Sequence, residues 1–248
     1  MTPTTRRLFA RARWVPALAA LSLAVVVSSC GGGGGAGAGS TGPVVTLHGT
    51  FEIQPGRCTS SHGVPTGSWM VIVDSADSKT VANPDGGCAN HFYTPLTPGT
   101  DRGIETGQFQ ANPTPTFDTT SNSLADAVIT PVSFDGKKFG MGTSANDVQD
   151  APNGGPVFTA PRALLQGSKL SVDLRSLNIT YGGPPGSTCA SAQGYGCWNL
   201  GSKAATGTYD AATHTYEIEW YLGESFTQLG DSMLVRFSGK FVPSGHGQ

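Results

Sequence analysis

TGTYDAATHTYEIEWYL, residues 206–222, is the stretch whose reading decides the fold. In its second half Tyr216, Ile218 and Trp220 fall on one side of an extended chain and Glu217, Glu219 and Tyr221 on the other. Alternation with period two is the mark of a strand with one buried and one wet face. Thr206 to Asp210 reads as its partner strand, with Ala211-Ala212-Thr213-His214 as the connecting loop. The pair is therefore a β-hairpin, and its apolar face needs a second layer to cover it.

Working outward, the same period recurs on both sides. Toward the C-terminus, Met233 to Val242 puts Met233, Val235, Phe237 and Phe241 on one face and Arg236 and Lys240 on the other. If that strand lies beside the hairpin, its cations face the two glutamates, each exposed pair contributing about 0.2 to 1 kcal/mol. Toward the N-terminus, Leu170, Val172 and Leu174 alternate with Ser171, Asp173 and Arg175, and Leu177 to Tyr181 forms a further short strand. Ala127 to Phe134 and Lys137 to Met141 flank Asp135-Gly136, a turn that tolerates positive φ, and Pro131 marks a bulge or an edge. Ser68 to Asp74 is apolar on both sides, as expected of an interior strand, and Val44 to Ile53 reads as one strand with Val45, Leu47, Phe51 and Ile53 on one side. The region 84–123, rich in Pro, Thr, Gly and Asn, should hold one or two strands near Gln108 to Gln110. Only Ser123 to Asp126 and Arg162 to Gln166 suggest helix.

Eight or more short strands with Gly and Pro turns, and no helical period long enough for a crossover, predict an all-β fold. The expectation is a single antiparallel β-sandwich or jelly-roll-like domain, with a β-barrel as the second choice. Composition agrees: 35 of 248 residues are Gly and only 13% are charged. That is about twice and about half the usual shares.

The first 43 residues have another character. Arg6, Arg7, Arg11 and Arg13 precede an uncharged apolar run from Trp14 to Val27, which ends at Val27-Ser28-Ser29-Cys30. A basic start, a short apolar middle and small residues before the cut describe a removable secretory peptide, too short to span a bilayer as a helix. Its last four residues resemble the lipobox of bacterial lipoproteins. The resemblance implies cleavage before Cys30 and acylation of its thiol and amino group, so that several chains anchor the protein where one would bind only reversibly. Residues 1–29 would then be the signal peptide and residues 30–43, almost all Gly, Ala and Ser, a flexible tether of about 20 Å r.m.s. span. The β-sandwich would occupy 44–248. Thr5-Arg6-Arg7-Leu8-Phe9 also looks like a twin-arginine export motif.

Export places the domain in an oxidising space, where Cys58, Cys88, Cys189 and Cys197 are expected to form two disulfides. Three pairings are open. Closure cost favours Cys58 with Cys88 and Cys189 with Cys197, at about 2 to 4 kcal/mol each. The cysteine spacings lack the short repeats of zinc modules, and His48, His62, His91, His214 and His246 are scattered, so no metal and no cofactor is expected. Asp147, Asp150 and Asn153 are of a type that binds Ca²⁺, but their spacing fits no EF-hand loop and reads as a hydrated loop. Without residues 1–29 the chain keeps 11 cationic side chains against 17 acidic ones, a formal charge of −6. That balance argues against nucleic acid as a partner.

Two features bear on function. Glu217 and Glu219 lie on one strand face with Cα atoms about 6.6 Å apart. The stretch resembles the Glu-x-Asp-x-Glu strand of laminarinase-type glycoside hydrolases, which implies a jelly roll and an acid–base pair, yet Tyr221 stands where the third acid belongs. The structural alternative is an ordinary half-exposed strand. The second feature is Cys189 to Trp198, a small disulfide loop presenting Tyr195 and Trp198 as ligand-surface candidates. PVSFDGKKFGMGT (131–143) and TGTYDAATHTYEIEWY (206–221) look like stretches of uncharacterised exported bacterial β-sandwich proteins, which implies no activity. The resulting expectation is a lipoprotein of the bacterial cell envelope, held to a membrane through acylated Cys30 on its extracytoplasmic side. It would act by binding or structural support toward an envelope ligand or protein, with a glycoside hydrolase using Glu217 and Glu219 as the rival.

Overall fold

The computed structural model describes residues 42–59, 63–74, 80–86, 88–89, 91–110, 124–134, 137–143, 145, 158–181, 197–199, 204–222 and 231–245. Among them there are fourteen strands and no helix. In chain order these are β1 (Val44–Leu47), β2 (Gly49–Ile53), β3 (Trp69–Asp74), β4 (Thr94–Pro95), β5 (Gly103–Glu105), β6 (Ile129–Phe134) and β7 (Lys137–Thr143). There follow β8 (Arg162–Gln166), β9 (Lys169–Asp173), β10 (Leu177–Tyr181), β11 (Cys197–Asn199), β12 (Ala205–Asp210), β13 (Thr215–Leu222) and β14 (Asp231–Pro243).

The larger sheet runs β1-β8-β9-β12-β13-β14-β2-β5, with β3 beside β14 and β4 beside β3; the smaller runs β11-β10-β7-β6. Every pairing is antiparallel, as the hairpin patterns require. The founding hairpin pairs Thr206 with Glu219 through Asp210 with Thr215, and β14 lies along the whole of β13 from Met233 to Lys240. Its other edge is divided, β3 taking Asp231 to Arg236 and β2 taking Gly239 to Pro243. Pro131 sits where β6 slips register against β7, and β6 is the outer strand of its sheet.

Three expectations are corrected. Val44 to Ile53 is not one strand: β1 pairs with β8 and β2 with β14, with only His48 between. One chain segment thus serves both sides of the larger sheet, which curls it like half a barrel. The break is at Gly49, whose φ of 153° is accessible to glycine and whose added Cβ would overlap the Val242 carbonyl. Arg162 to Gln166 is strand β8, because its five residues are too few to nucleate a helix and pair fully along β9 through the turn at Gly167, φ 62°. The strands of the middle region lie at Thr94–Pro95 and Gly103–Glu105, upstream of Gln108 to Gln110. Gln110 is a buried brace instead, its side-chain amide bonding the Glu105 N–H and the Gly103 carbonyl at 2.7 and 2.8 Å. Cys58 and Cys88 form the disulfide that the sequence favours for them; Cys189 of the second expected pair lies outside the described residues, as do Ser123, Asp147, Asp150 and Asn153.

Inward residues of both sheets form one core. Phe51 stacks edge-on against Tyr216 at 4.9 Å and tilts against Phe241 at 4.7 Å, while Trp220, Ile218, Val235 and Phe237 have no exposed surface. Phe139, Met141, Leu177 and Ile179 of the smaller sheet join the same cluster. A buried side chain of this size contributes about 1.5 to 3 kcal/mol. The alternation read from 206–222 and 233–242 is therefore what fixes which face looks outward.

Candidate functional site

On the outward face of β12, β13 and β14 the pleat presents Thr208, Thr215, Glu217, Arg236 and Ser238, which line a groove of about 870 Å³. Its far wall is the loop after β2, through Gln54, Pro65, Thr66 and Gly67. That wall is held by a two-way bridge between Arg57 and Thr66, each N–H donating to the other's carbonyl at 2.9 Å. It is also held by the Cys58–Cys88 bond, which ties it to the segment ahead of β4. Gly67 makes the return at φ 74°, a conformation that would strain any other residue. The near wall is the β8–β9 turn, Gly167-Ser168, with Asp210 and Ala211 of the β12–β13 turn.

Glu217 and Arg236 meet at the groove, Nη2 to Oε2 at 2.5 Å. In register Arg236 stands opposite Glu219, but its guanidinium reaches diagonally to Glu217, so the pairing anticipated between these strands does form. The side chains are 30% and 48% exposed, so solvent keeps the pair's worth to about 1 kcal/mol or less. The Arg236 Nε is buried without a hydrogen-bond partner among the described residues.

The other groove carboxylate, Asp210, accepts the backbone N–H of Ala212 at 2.8 Å. The Ala212 amide first, and Thr213 behind it, hold its carboxyl below the usual range. Asp210 is thus not arranged to keep a proton near neutral pH, which a general acid needs. Among the described carboxyls the one shifted upward is that of Glu105, through partial burial first and then the charge of Asp101. It lines a separate hollow of about 400 Å³ with His48 and Thr106. Beneath the groove, Tyr216 is 3% exposed and donates to the Phe51 and Glu52 carbonyls at 3.3 and 3.1 Å. Burial drives its phenol far above the ordinary tyrosine value.

Of the sequence candidates, the structure brings Glu217 to the groove and leaves Glu219 on the same face outside its lining. Cys197 and Trp198 lie on β11, where Ile179 pairs with Trp198, but Tyr195 and Cys189 lie outside the described residues, as do Cys30 and all of 1–41. Among the described residues no group of three His, Cys, Asp or Glu side chains could hold a metal ion. Sequence reasoning missed the wall at 65–67 and the part played by Asp210. The Asp-Ala-Ala-Thr turn was a readable signal for the second, since an aspartate heading a turn accepts amides two and three residues on. No protein-family model, no curated protein and no solved structure matches the chain.

Proposed function

We propose that the chain is a lipid-anchored binding module of the bacterial cell envelope. Residues 1–29 direct export, acylated Cys30 holds the membrane on its extracytoplasmic side, residues 30–43 are the tether, and the domain from 44 onward carries the groove. The basic and apolar leader ending in Val27-Ser28-Ser29-Cys30 supports the anchor, and the Cys58–Cys88 bond is in keeping with an oxidising compartment.

The observation that carries binding over hydrolysis is the Glu217–Arg236 pair. A carboxylate occupied by a guanidinium at 2.5 Å, with Glu219 outside the groove, leaves the expected acid–base couple without two working members. What remains is a fixed array of donors and acceptors on a rigid sheet, suited to recognition.

The anchor is tested by mass spectrometry of the protein isolated from membranes. The expected N-terminal peptide begins at acylated Cys30, and Cys30→Ser should move the protein to the soluble fraction. An unmodified thiol, or a leader still attached, overturns the anchor. Release of reducing ends from a glycan panel, abolished by Glu217→Gln, overturns the non-catalytic reading in favour of a glycoside hydrolase.

A further inference from the structure

We infer that the groove over β12, β13 and β14 takes a neutral saccharide, gripped through neighbouring hydroxyls by the Glu217–Arg236 pair. This rests on the binding-module reading above and names its ligand class.

The chemistry of the lining narrows the occupant. Two carboxylates, Asp210 and Glu217, stand there against one guanidinium, so an anion would be repelled. A cation finds Glu217 neutralised by Arg236 and only Asp210 left in the lining, its Oδ1 already accepting the Ala212 amide, which is too few ligands to hold an ion. An apolar ligand lacks a platform, since the two rings in the lining, Tyr209 and Tyr216, are 7% and 3% exposed. An extended peptide cannot add as a strand, because the floor is a sheet face whose β12, β13 and β14 are each paired on both sides.

A polyhydroxylated, uncharged ligand meets none of these objections. A half-exposed carboxylate beside a guanidinium offers an acceptor edge next to a donor edge, and two adjacent hydroxyls match it, one donating to Glu217 and the other accepting from Arg236. Thr208, Thr215 and Ser238 add hydroxyls around the pair, and Gln54 adds an amide from the wall. The volume, about 870 Å³, lies within the range of about 300 to 1,000 Å³ that small-molecule sites occupy. With no exposed ring in the lining to stack on a sugar face, affinity comes from hydrogen bonds alone, and a Kd of about 0.1 to 1 mM is expected.

The purified chain would be titrated calorimetrically with neutral tetrasaccharides of glucose, galactose, mannose, xylose and N-acetylglucosamine, with oligogalacturonate as the anionic arm, while reducing ends are followed. At least one neutral tetrasaccharide should bind uncleaved with a Kd of about 1 mM or below. Arg236→Met should weaken it about tenfold or more and Thr208→Val about fivefold, with Glu219→Gln unchanged. Thr208, exposed on its strand, decides the matter if Arg236→Met does not fold. No neutral binding up to about 10 mM, a preference for oligogalacturonate, or binding indifferent to Arg236→Met and Thr208→Val overturns the ligand class. Cleavage lost in Glu217→Gln would instead leave the ligand class standing and overturn the binding-module reading.

Discussion

Replacing Cys58 and Cys88 together by alanine tests how the groove wall is held. The bond joins residues 30 apart in sequence, a loop that includes all of β3. Constraining a denatured loop of that length removes entropy worth about 3.6 kcal/mol at 25 °C, by the relation in which the loss grows with the logarithm of loop size. Cys88 is buried, so losing its sulfur also opens a small void, and the expected total is about 4 kcal/mol. Urea unfolding of the oxidised protein and the variant can be followed by tryptophan fluorescence, since Trp69 and Trp220 are buried in the fold. The midpoint should fall, and the slope m should rise as the denatured chain expands. The sheet floor with Glu217 and Arg236 belongs to β13 and β14, whose ladder does not depend on the bond, so the variant should fold with its groove wall loosened and its floor intact. A loss below about 1 kcal/mol with unchanged m would refute the reasoning, because the bond would then constrain nothing that the denatured chain explores.

Three further outcomes are expected. Gly207→Ala puts a Cβ onto the Glu217 carbonyl and within 2.8 Å of the Ile218 Cα, backbone that cannot retreat without parting β12 from β13; stability should drop by about 3 kcal/mol in the same unfolding assay. Glu105 has its carboxyl raised in the folded state, so the folded protein holds the proton longer and stability falls as pH rises from the ordinary glutamate range through the raised value. Glu105→Gln should therefore gain stability over the parent at pH 7 and lose that advantage at pH 3, as read from thermal midpoints across pH. Tyr216→Phe keeps the ring against Phe51 but leaves the Phe51 and Glu52 carbonyls without their donor, at about 1 to 2 kcal/mol in urea unfolding.

Much of the fold was legible because alternation is a local property. Tyr216, Ile218 and Trp220 turned inward as their spacing demanded, and the closing strand buried Met233, Val235, Phe237 and Phe241. Pro131 marked both a register slip and a sheet margin, since a residue without an N–H cannot serve an interior ladder. The readings that failed were those where local pattern is degenerate. Arg162 to Gln166 carries apolar residues compatible with either period over so short a span, and β9 as a neighbour decided for strand. Nothing between Val44 and Ile53 announces that its halves pair with different strands, apart from Gly49.

The chain order of residues by itself determined the class of fold, the inward and outward faces of the founding hairpin, and the cation-bearing strand that could answer its glutamates. Tertiary structure alone decided that Arg236 serves Glu217 and passes over Glu219, that the loop at 65–67 walls a groove beside that pair, and that the Glu105 carboxyl is pushed toward its neutral form. The physical reason is range. Side-chain period is set within a few residues by backbone geometry, whereas charge pairing, desolvation and concavity depend on segments brought together from 170 residues apart, as Ser68 and Ser238 are where β2, β3 and β14 meet.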